Sequence, residues 1–365
     1  MPWTHRFLRE YLRTDPRAIV LEEISYRRGD VLLPARIYRP AGARRPLPAW
    51  AVLHGITRNG RQHRGLDRFA RACAAAGSVV FVPDIPEWRE LQVAPAMAAH
   101  TIRAAVHALG ERPEARPGHI GLLAFSFGAT QAIMAGADPE VAGLLHGIVA
   151  WGGYTDLRAT FRYGLTGVHE YGGRRITMEP DPYGIWVVAA NYLHRVPGHE
   201  QDRAVATALH ELACEAGERG IYAWEPVYDE SKIRLRERLP EDQRTLFDYL
   251  APPAHQRRRD EPRARQLAAD LADAALRCDP DLDPASRLPF VRVPVLLAHG
   301  RDDRMIPFPE SMRLEQQLPA ACRRGCVVTG LFAHSGGTLR GMGAFVRARE
   351  TARFLRLLHR ILNLV

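Results

Sequence analysis

The chain has 365 residues, enough for two average domains or for one large α/β domain with an insertion. Hydrophobic residues make up 46% and charged residues 25%, which excludes wholesale disorder. The formal net charge of +9 raises nucleic-acid binding, yet Lys232 is the only lysine, and the arginines are spread along the chain with acids interleaved, as in Arg234–Glu237 and Arg347–Glu350. Arginine-biased composition accounts for that balance. No specific nucleic-acid partner is expected, only a weak attraction to anionic substrates or membrane surfaces.

The five cysteines, Cys73, Cys214, Cys278, Cys322 and Cys326, are odd in number and scattered. Cys322 and Cys326 lack the second pair or nearby histidine of a zinc site. They read as reduced thiols of a cytoplasmic protein. No stretch is long enough without charge to span a bilayer. The N-terminus is broken by charges and has no apolar core, so it does not read as a secretory signal.

In chain order, Ala18–Arg27 and Leu32–Arg39 read as strands of a hairpin joined near Gly29-Asp30. The continuous apolar run Ala49–Leu53, stopping at His54-Gly55, suits a strand buried on both faces of a parallel sheet. The same grammar then repeats: a helix over Gly65–Ala76, a strand at Val79–Val82, a helix over Met97–Leu109, and a strand at Ile120–Phe125. A helix from Ser126 to Ala135 and a strand at Ile148–Trp151 follow. Such alternation implies βαβ units. It breaks from Thr155 to Arg287, where helical patterns appear near Ala204–Gly217, Ser231–Leu239, Gln243–Leu250 and Glu261–Arg277. It resumes with a strand at Val293–Ala298, a helix at Glu310–Leu318, a strand at Cys326–Val328 and a long amphipathic helix over Gly341–Leu362. The reading is an α/β core, residues 1–154 and 288–365, with a helical cap inserted over 155–287. Trp186, Tyr192, Trp224 and Tyr228 of that insertion are expected to face both solvent and an active-site cleft.

The chemical signal is Ala124-Phe125-Ser126-Phe127-Gly128, between a buried strand and a helix. A sharp strand-to-helix turn holds a serine hydroxyl out from the sheet, and small residues two positions on either side let it pack. The usual pattern has glycine where this chain has Ala124. A serine needs a base, and the base an acid that orients it. Downstream, His299-Gly-Arg-Asp-Asp-Arg-Met-Ile-Pro307 supplies Asp303, and Ala333-His334-Ser335-Gly336-Gly337 supplies His334. Both follow strands on the side where ligands of open α/β sheets collect. Asp302 and Asp156 are alternative acids, and Trp88 and Trp151 could line an acyl pocket or belong to the core. Arg58 could hold a carboxylate or simply lie at the surface.

With these residues in their order, the chain resembles the α/β-hydrolase superfamily. The match covers both ends of the sheet and omits the insertion. The resemblance implies an α/β-hydrolase fold with a mostly parallel sheet, Ser126, Asp303 and His334 as catalytic triad, and an oxyanion hole from the amides of Phe127 and Ile56. The pattern H-G-x-x-D-x-x-[VI]-P places the acid at Asp303 rather than Asp302, and makes His54 and His299 structural members of His-Gly turns. The chain lacks the His-Gly-Gly-Gly run of hormone-sensitive-lipase-like esterases. Its entry sequence is closer to dienelactone hydrolases, acyl-transferring hydrolases and prolyl-oligopeptidase-like hydrolases, although no propeller precedes it. The implied activity is cleavage of small-molecule carboxylic esters through an acyl-enzyme, with no metal or organic cofactor. An acyltransferase, amidase, peptidase or C–C hydrolase would share this fold and triad, and a non-catalytic binding protein is the alternative outside enzymes.

Overall fold

The computed structural model of the chain describes residues 2–12, 19–256, 259–331 and 343–365. The chain enters through the helix Pro2–Tyr11, which the sequence reading did not anticipate. Its Phe7 is buried edge-on against Phe69, with ring centroids 5.5 Å apart. Strands β1 (Ile19–Arg28) and β2 (Val31–Pro40) pair antiparallel, and β3 (Leu47–Leu53) leads through the helix Arg64–Ala75 to β4 (Val79–Pro83). The helix Pro95–Gly110 precedes β5 (Ala115–Phe125), and the helix Phe127–Ala135 precedes β6 (Leu145–Trp151).

The insertion follows, with a short antiparallel hairpin of β7 (Val168–Tyr171) and β8 (Arg174–Thr177) among its helices. Those helices are Leu157–Thr166, Tyr183–Tyr192, Arg203–Arg219, Asp229–Glu237, Glu241–Leu250 and Pro262–Cys278. The core then closes with β9 (Val295–Gly300), the helix Pro309–Gln317, β10 (Arg323–Thr329) and the helix Ala344–Leu362. Among the described residues the main sheet has eight strands in the order β1-β2-β4-β3-β5-β6-β9-β10. It is parallel from β4 to β10, with the first hairpin antiparallel at one edge.

Alternation along each strand divides the sheet's two faces. Ala49, Ala51 and Leu53 of β3 pack with Ile102, Val106, Ala129 and Ile133 on one side. Trp50 and Val52 pack with Phe69, Leu357 and Ile361 on the other. Because helices cover both faces, the strands read as unbroken apolar runs, and this made them visible in sequence.

The insertion builds a second apolar core, shared with Leu91, Val93, Tyr154 and Ile306 of the rest of the chain, and this overturns the expected exposure of its aromatics. Trp186, Tyr192 and Tyr228 are 0%, 4% and 0% exposed, and Trp224 is half-buried. Their polar atoms are satisfied inside. Trp186 donates to the Leu250 carbonyl at 3.1 Å, Tyr192 to Asp279 at 2.7 Å and Tyr228 to the Ile221 carbonyl at 2.9 Å. A long segment must bury apolar area to stay folded, and large amphipathic rings serve that need best. Lys232 is buried here too, donating to Asp229 and to the Pro252 carbonyl, each at 2.9 Å.

Glu310 ties the insertion to the sheet. Its Oε2 accepts the amides of Thr155 (2.9 Å) and Asp156 (2.7 Å), just past β6, and its Oε1 accepts His169 Nε2 of β7 at 2.7 Å. Burial alone would raise this carboxyl, but the bonds from His169 and the two amides outweigh it and hold it below its ordinary value of 4.5. A carboxylate depressed in the folded state stabilises the fold above its unfolded value and loses that contribution as pH falls through the folded one. Glu310→Ala leaves a buried histidine and two amides unpaired. It is expected to cost about 3–5 kcal/mol at neutral pH by urea denaturation, with the gap to the unsubstituted chain narrowing below about pH 4.5.

Candidate active site

Parallel strands deliver their following turns to one edge of the sheet, and the turn after β5 carries Ser126. Its backbone sits at φ +58°, ψ −133°, a conformation that a residue with a Cβ rarely adopts. Two bonds hold it there: the Ser126 amide donates to the Trp151 carbonyl at the end of β6 (2.8 Å), and the Ser126 carbonyl accepts the Ala129 amide (2.9 Å). The serine caps the helix Phe127–Ala135, so the Phe127 amide lies in the first turn, where helix N–H groups have no internal acceptor. Ala124 is fully buried between β3 and β6, opposite Leu53 and Ala150. The methyl group at the first position of the motif is therefore accommodated.

The turn after β3 packs directly on this one. A Cβ on Gly128 would lie 2.8 Å from the His54 carbonyl oxygen, and one on Gly55 would lie 3.1 Å from the Ser126 Cβ. Both glycines are demanded by backbone approach. His54 is buried and fixed at both nitrogens: Nδ1–H donates to the Gly55 carbonyl at 2.7 Å, and Nε2 accepts the Ile85 amide at 3.3 Å. The Gly55 carbonyl and the Ile56 amide belong to one peptide group, so the imidazole sets the direction of the Ile56 N–H. Ile56 and Phe127 are both half-buried, and their side chains pack against both the insertion core and the sheet core.

Asp303 follows β9 and is 2% exposed. Its Oδ1 accepts the amides of Met305 (2.8 Å) and Ile306 (3.0 Å), while Oδ2 lies 3.4 Å from His299 Nε2. His299 Nε2 donates to the Ile306 carbonyl at 2.8 Å and Nδ1 accepts from the Ser311 hydroxyl at 2.7 Å, so the imidazole braces the acid loop. Asp302 is half-buried beside it. Asp156 instead caps the helix Leu157–Thr166, accepting the Ala159 amide at 3.0 Å. His334 lies outside the described residues.

The two tryptophans separate. Trp88 is fully buried, edge-on to both Phe127 (5.5 Å) and His54 (5.8 Å). Trp151 belongs to the opposite face, beside Phe125 and Phe354. Arg58 is engaged by Glu90 at 2.6 Å. Among the described residues there is no cluster of histidine, cysteine, aspartate and glutamate that could hold a metal ion, and no helix long and apolar enough to cross a membrane. All five cysteines are free thiols.

Contacts from the insertion to these turns had no signature in the sequence. Tyr183 donates to the Ile56 carbonyl at 3.1 Å, Asn59 to the Gly217 carbonyl at 2.7 Å, and the Asp181 amide to the Arg304 carbonyl at 2.8 Å. Each uses a backbone carbonyl, which every residue type presents alike.

No protein-family model matches the chain, and no curated protein matches it by sequence. Among solved structures, the acylaminoacyl peptidase of Pyrococcus horikoshii is similar with a TM-score of 0.51 at 13% identity, over 95% of this chain and 42% of that one. The chain thus spans less than half the length of that protein. A putative dienelactone hydrolase from Klebsiella pneumoniae subsp. pneumoniae MGH 78578 aligns at TM-score 0.46 and 14% identity, over 94% of this chain and all of that one. Brefeldin A esterase, a bacterial homologue of human hormone sensitive lipase, aligns at 0.46 and 18%, over 96% of this chain and 76% of that one. At 13% identity the likeness to the peptidase is one of fold, and it agrees with the mostly parallel eight-stranded sheet of the described residues. The chain has the α/β-hydrolase fold.

Two stability outcomes follow from the site. Ser126→Gly removes a Cβ from a strained φ, and is expected to raise stability by about 1 kcal/mol despite the added freedom of the unfolded chain; an unchanged urea midpoint would show the turn to be unstrained. Burial drives the His54 pKa down to about 4, with smaller contributions from His63, Arg89 and Arg61 against the opposing Gly55 bond. Between its unfolded value of about 6.5 and the folded one, the unfolded chain binds the proton and the folded chain does not. Stability therefore drops as pH is lowered across that window, by about 3 kcal/mol in all. His54→Gln should lose this slope when urea unfolding is compared at pH 7 and pH 4.5.

Proposed function

We propose that the chain is a serine hydrolase that cleaves carboxylic esters, with Ser126 as nucleophile, His334 as general base and Asp303 as the acid that orients it. In this reading His334 takes the Ser126 proton as the hydroxyl attacks the ester carbonyl. The oxygen, now negative, is met by the amides of Phe127 and Ile56, whose dipoles are in place before the charge develops. His334 then returns the proton to the leaving alcohol. Water, deprotonated by the same imidazole, releases the acyl group from Ser126. Asp303 uses Oδ1 for its own loop, so an imidazole would bind through Oδ2.

The observation that carries this reading is the conformation of Ser126. A non-glycine residue at φ +58°, packed against Gly55 and heading a helix, is costly for the fold. Such strain concentrates where a side chain must be presented for chemistry. A binding protein with no use for the hydroxyl gains nothing from it, which weighs against the non-catalytic alternative.

We read residues 155–287 as the cap over the site. Ile56, Phe127, Tyr183 and Met305 pack on its apolar core, so an acyl group entering beside them meets apolar surface. This favours esters with apolar or aromatic acyl parts. Amide, C–C and acyl-transfer chemistry would use the same residues, and product analysis with added alcohol acceptors separates transfer from hydrolysis.

The direct test is labelling by a fluorophosphonate probe, together with hydrolysis of short-chain p-nitrophenyl esters. Ser126→Ala should abolish labelling and lower kcat by several powers of ten. Asp303→Asn should lower kcat by about 10⁴-fold with KM little changed. A Ser126→Ala chain that is labelled and still active would sink the assignment.

A further inference from the structure

We propose that Tyr183, at the start of an insertion helix, is a positioning residue for the Ile56 amide and makes the oxyanion hole depend on the insertion. The inference rests on the reading of Ser126 and Ile56 given above. It adds a role for a residue that no part of the catalytic pattern requires.

The Ile56 N–H lies in the Gly55–Ile56 peptide plane, so its direction is set by rotation about the Gly55 Cα–C and Ile56 N–Cα bonds. On the N-terminal side the peptide is held by His54, through the Gly55 carbonyl. On the C-terminal side the Ile56 carbonyl is held by the Tyr183 hydroxyl at 3.1 Å. With both carbonyls fixed, the N–H between them cannot swing without breaking a bond to a buried donor. If the Tyr183 bond is lost, the Ile56 Cα is free to shift, and only the His54 bond is left to hold the amide toward the developing charge.

The hydroxyl is itself held in place. Tyr183 N–H donates to Asp181 Oδ1 at 3.0 Å, and the Asp181 amide donates to the Arg304 carbonyl, next to the acid Asp303. Glycine at position 217, inside the helix Arg203–Arg219, makes room on the other side: a Cβ there would lie 3.4 Å from the Tyr183 oxygen and 3.3 Å from the Arg58 Cγ. Burial pushes the phenol above its ordinary range, so it stays a neutral donor throughout the pH range of ester hydrolysis. Asp181, Pro182 and Tyr183 thus form one short segment that touches the acid loop at one end and the oxyanion loop at the other.

A tether that merely holds two parts of the protein together would affect stability. A tether that orients the amide affects the transition state, where negative charge has formed, more than the bound ester. Tyr183→Phe keeps the ring and removes only the hydroxyl. Its kcat for p-nitrophenyl ester hydrolysis is expected to fall roughly tenfold to a hundredfold, with KM within about twofold. Its rate of fluorophosphonate labelling and its affinity for phenylboronic acid, which forms a charged tetrahedral adduct on serine, should fall by the same factor. The thermal midpoint should move little. Asn59→Ala, which cuts a tie between the same loop and the insertion away from Ile56, should leave boronate affinity within about twofold of the unsubstituted chain. Full boronate affinity in Tyr183→Phe overturns the inference, as does a loss matched by Asn59→Ala or accompanied by a collapse of the thermal midpoint. Those outcomes leave the catalytic reading standing if Ser126→Ala is inert, whereas an active Ser126→Ala removes that reading whatever Tyr183→Phe does.

Discussion

The turn after β3 and the turn after β5 meet backbone to backbone, with Gly128 against the His54 carbonyl and Gly55 against the Ser126 Cβ. That approach is close, and it sets Ser126 beside the turn that carries Ile56. It also explains why the serine must sit at positive φ. A residue in ordinary extended or helical geometry could not leave β5, start a helix and stay against Gly55 within a single position. The cost, about 1–3 kcal/mol for such a conformation, is small against the apolar burial of the strands on either side. The sheet can hold a turn that a loop alone could not.

The insertion meets this arrangement in two ways. Its apolar core reaches the side chains of Ile56, Phe127, Tyr183 and Met305, and this supplies most of the attachment. Polar ties add to it, and four of them are Tyr183 to Ile56, Asn59 to Gly217, Asp181 to Arg304 and Glu310 to His169. Individually each is worth only about 1 kcal/mol net. Their value is directional, because apolar contact fixes distance while a hydrogen bond fixes the orientation of a peptide. Three of the four end on loops that the reaction would use or that adjoin them. A segment of independent sequence has thereby become part of how those loops are shaped.

Strands β3, β4, β5, β6 and β9 were legible because burial on both faces forces unbroken apolar runs. Ser126 and Asp303 stood out because each follows such a run, and the structure places them after β5 and β9. The helix Pro2–Tyr11 does carry Trp3, Phe7 and Tyr11 at helical spacing, a signal obscured by its ten-residue length and the charges between them. The hairpin β7–β8 was missed because only Val168 and His169 of its strands are buried, and four-residue strands are too short to show alternation. The aromatics of the insertion were misplaced for a different reason. Sequence shows that Trp186 and Tyr228 are amphipathic, but whether the polar end finds a carbonyl or water depends on contacts such as Leu250, 64 residues away. Tyr183 was hidden in the same way, since its partner lies 127 residues distant and is a carbonyl.

The chain's positive charge does not converge on the serine. Arg58, the cation next to the oxyanion loop, is taken by Glu90 and Glu218. Arg61 and Arg89 flank the buried Asp84 at 3.7 and 3.8 Å, and Arg304 stacks on Trp224 at 4.7 Å. Arg58, Arg61 and Arg89 have carboxylates at short range, which cancels much of their field beyond a Debye length of roughly 8 Å, whereas Arg304 keeps its charge over a neutral ring. In the proposed hydrolase the apolar rim would be Ile56, Phe127, Tyr183 and Met305, which pack on the insertion's core. Such a rim discriminates between acyl groups by fit, at roughly 1–3 kcal/mol per methylene. In the proposed hydrolase, selectivity would thus belong to shape, set by the residues that the insertion holds in place.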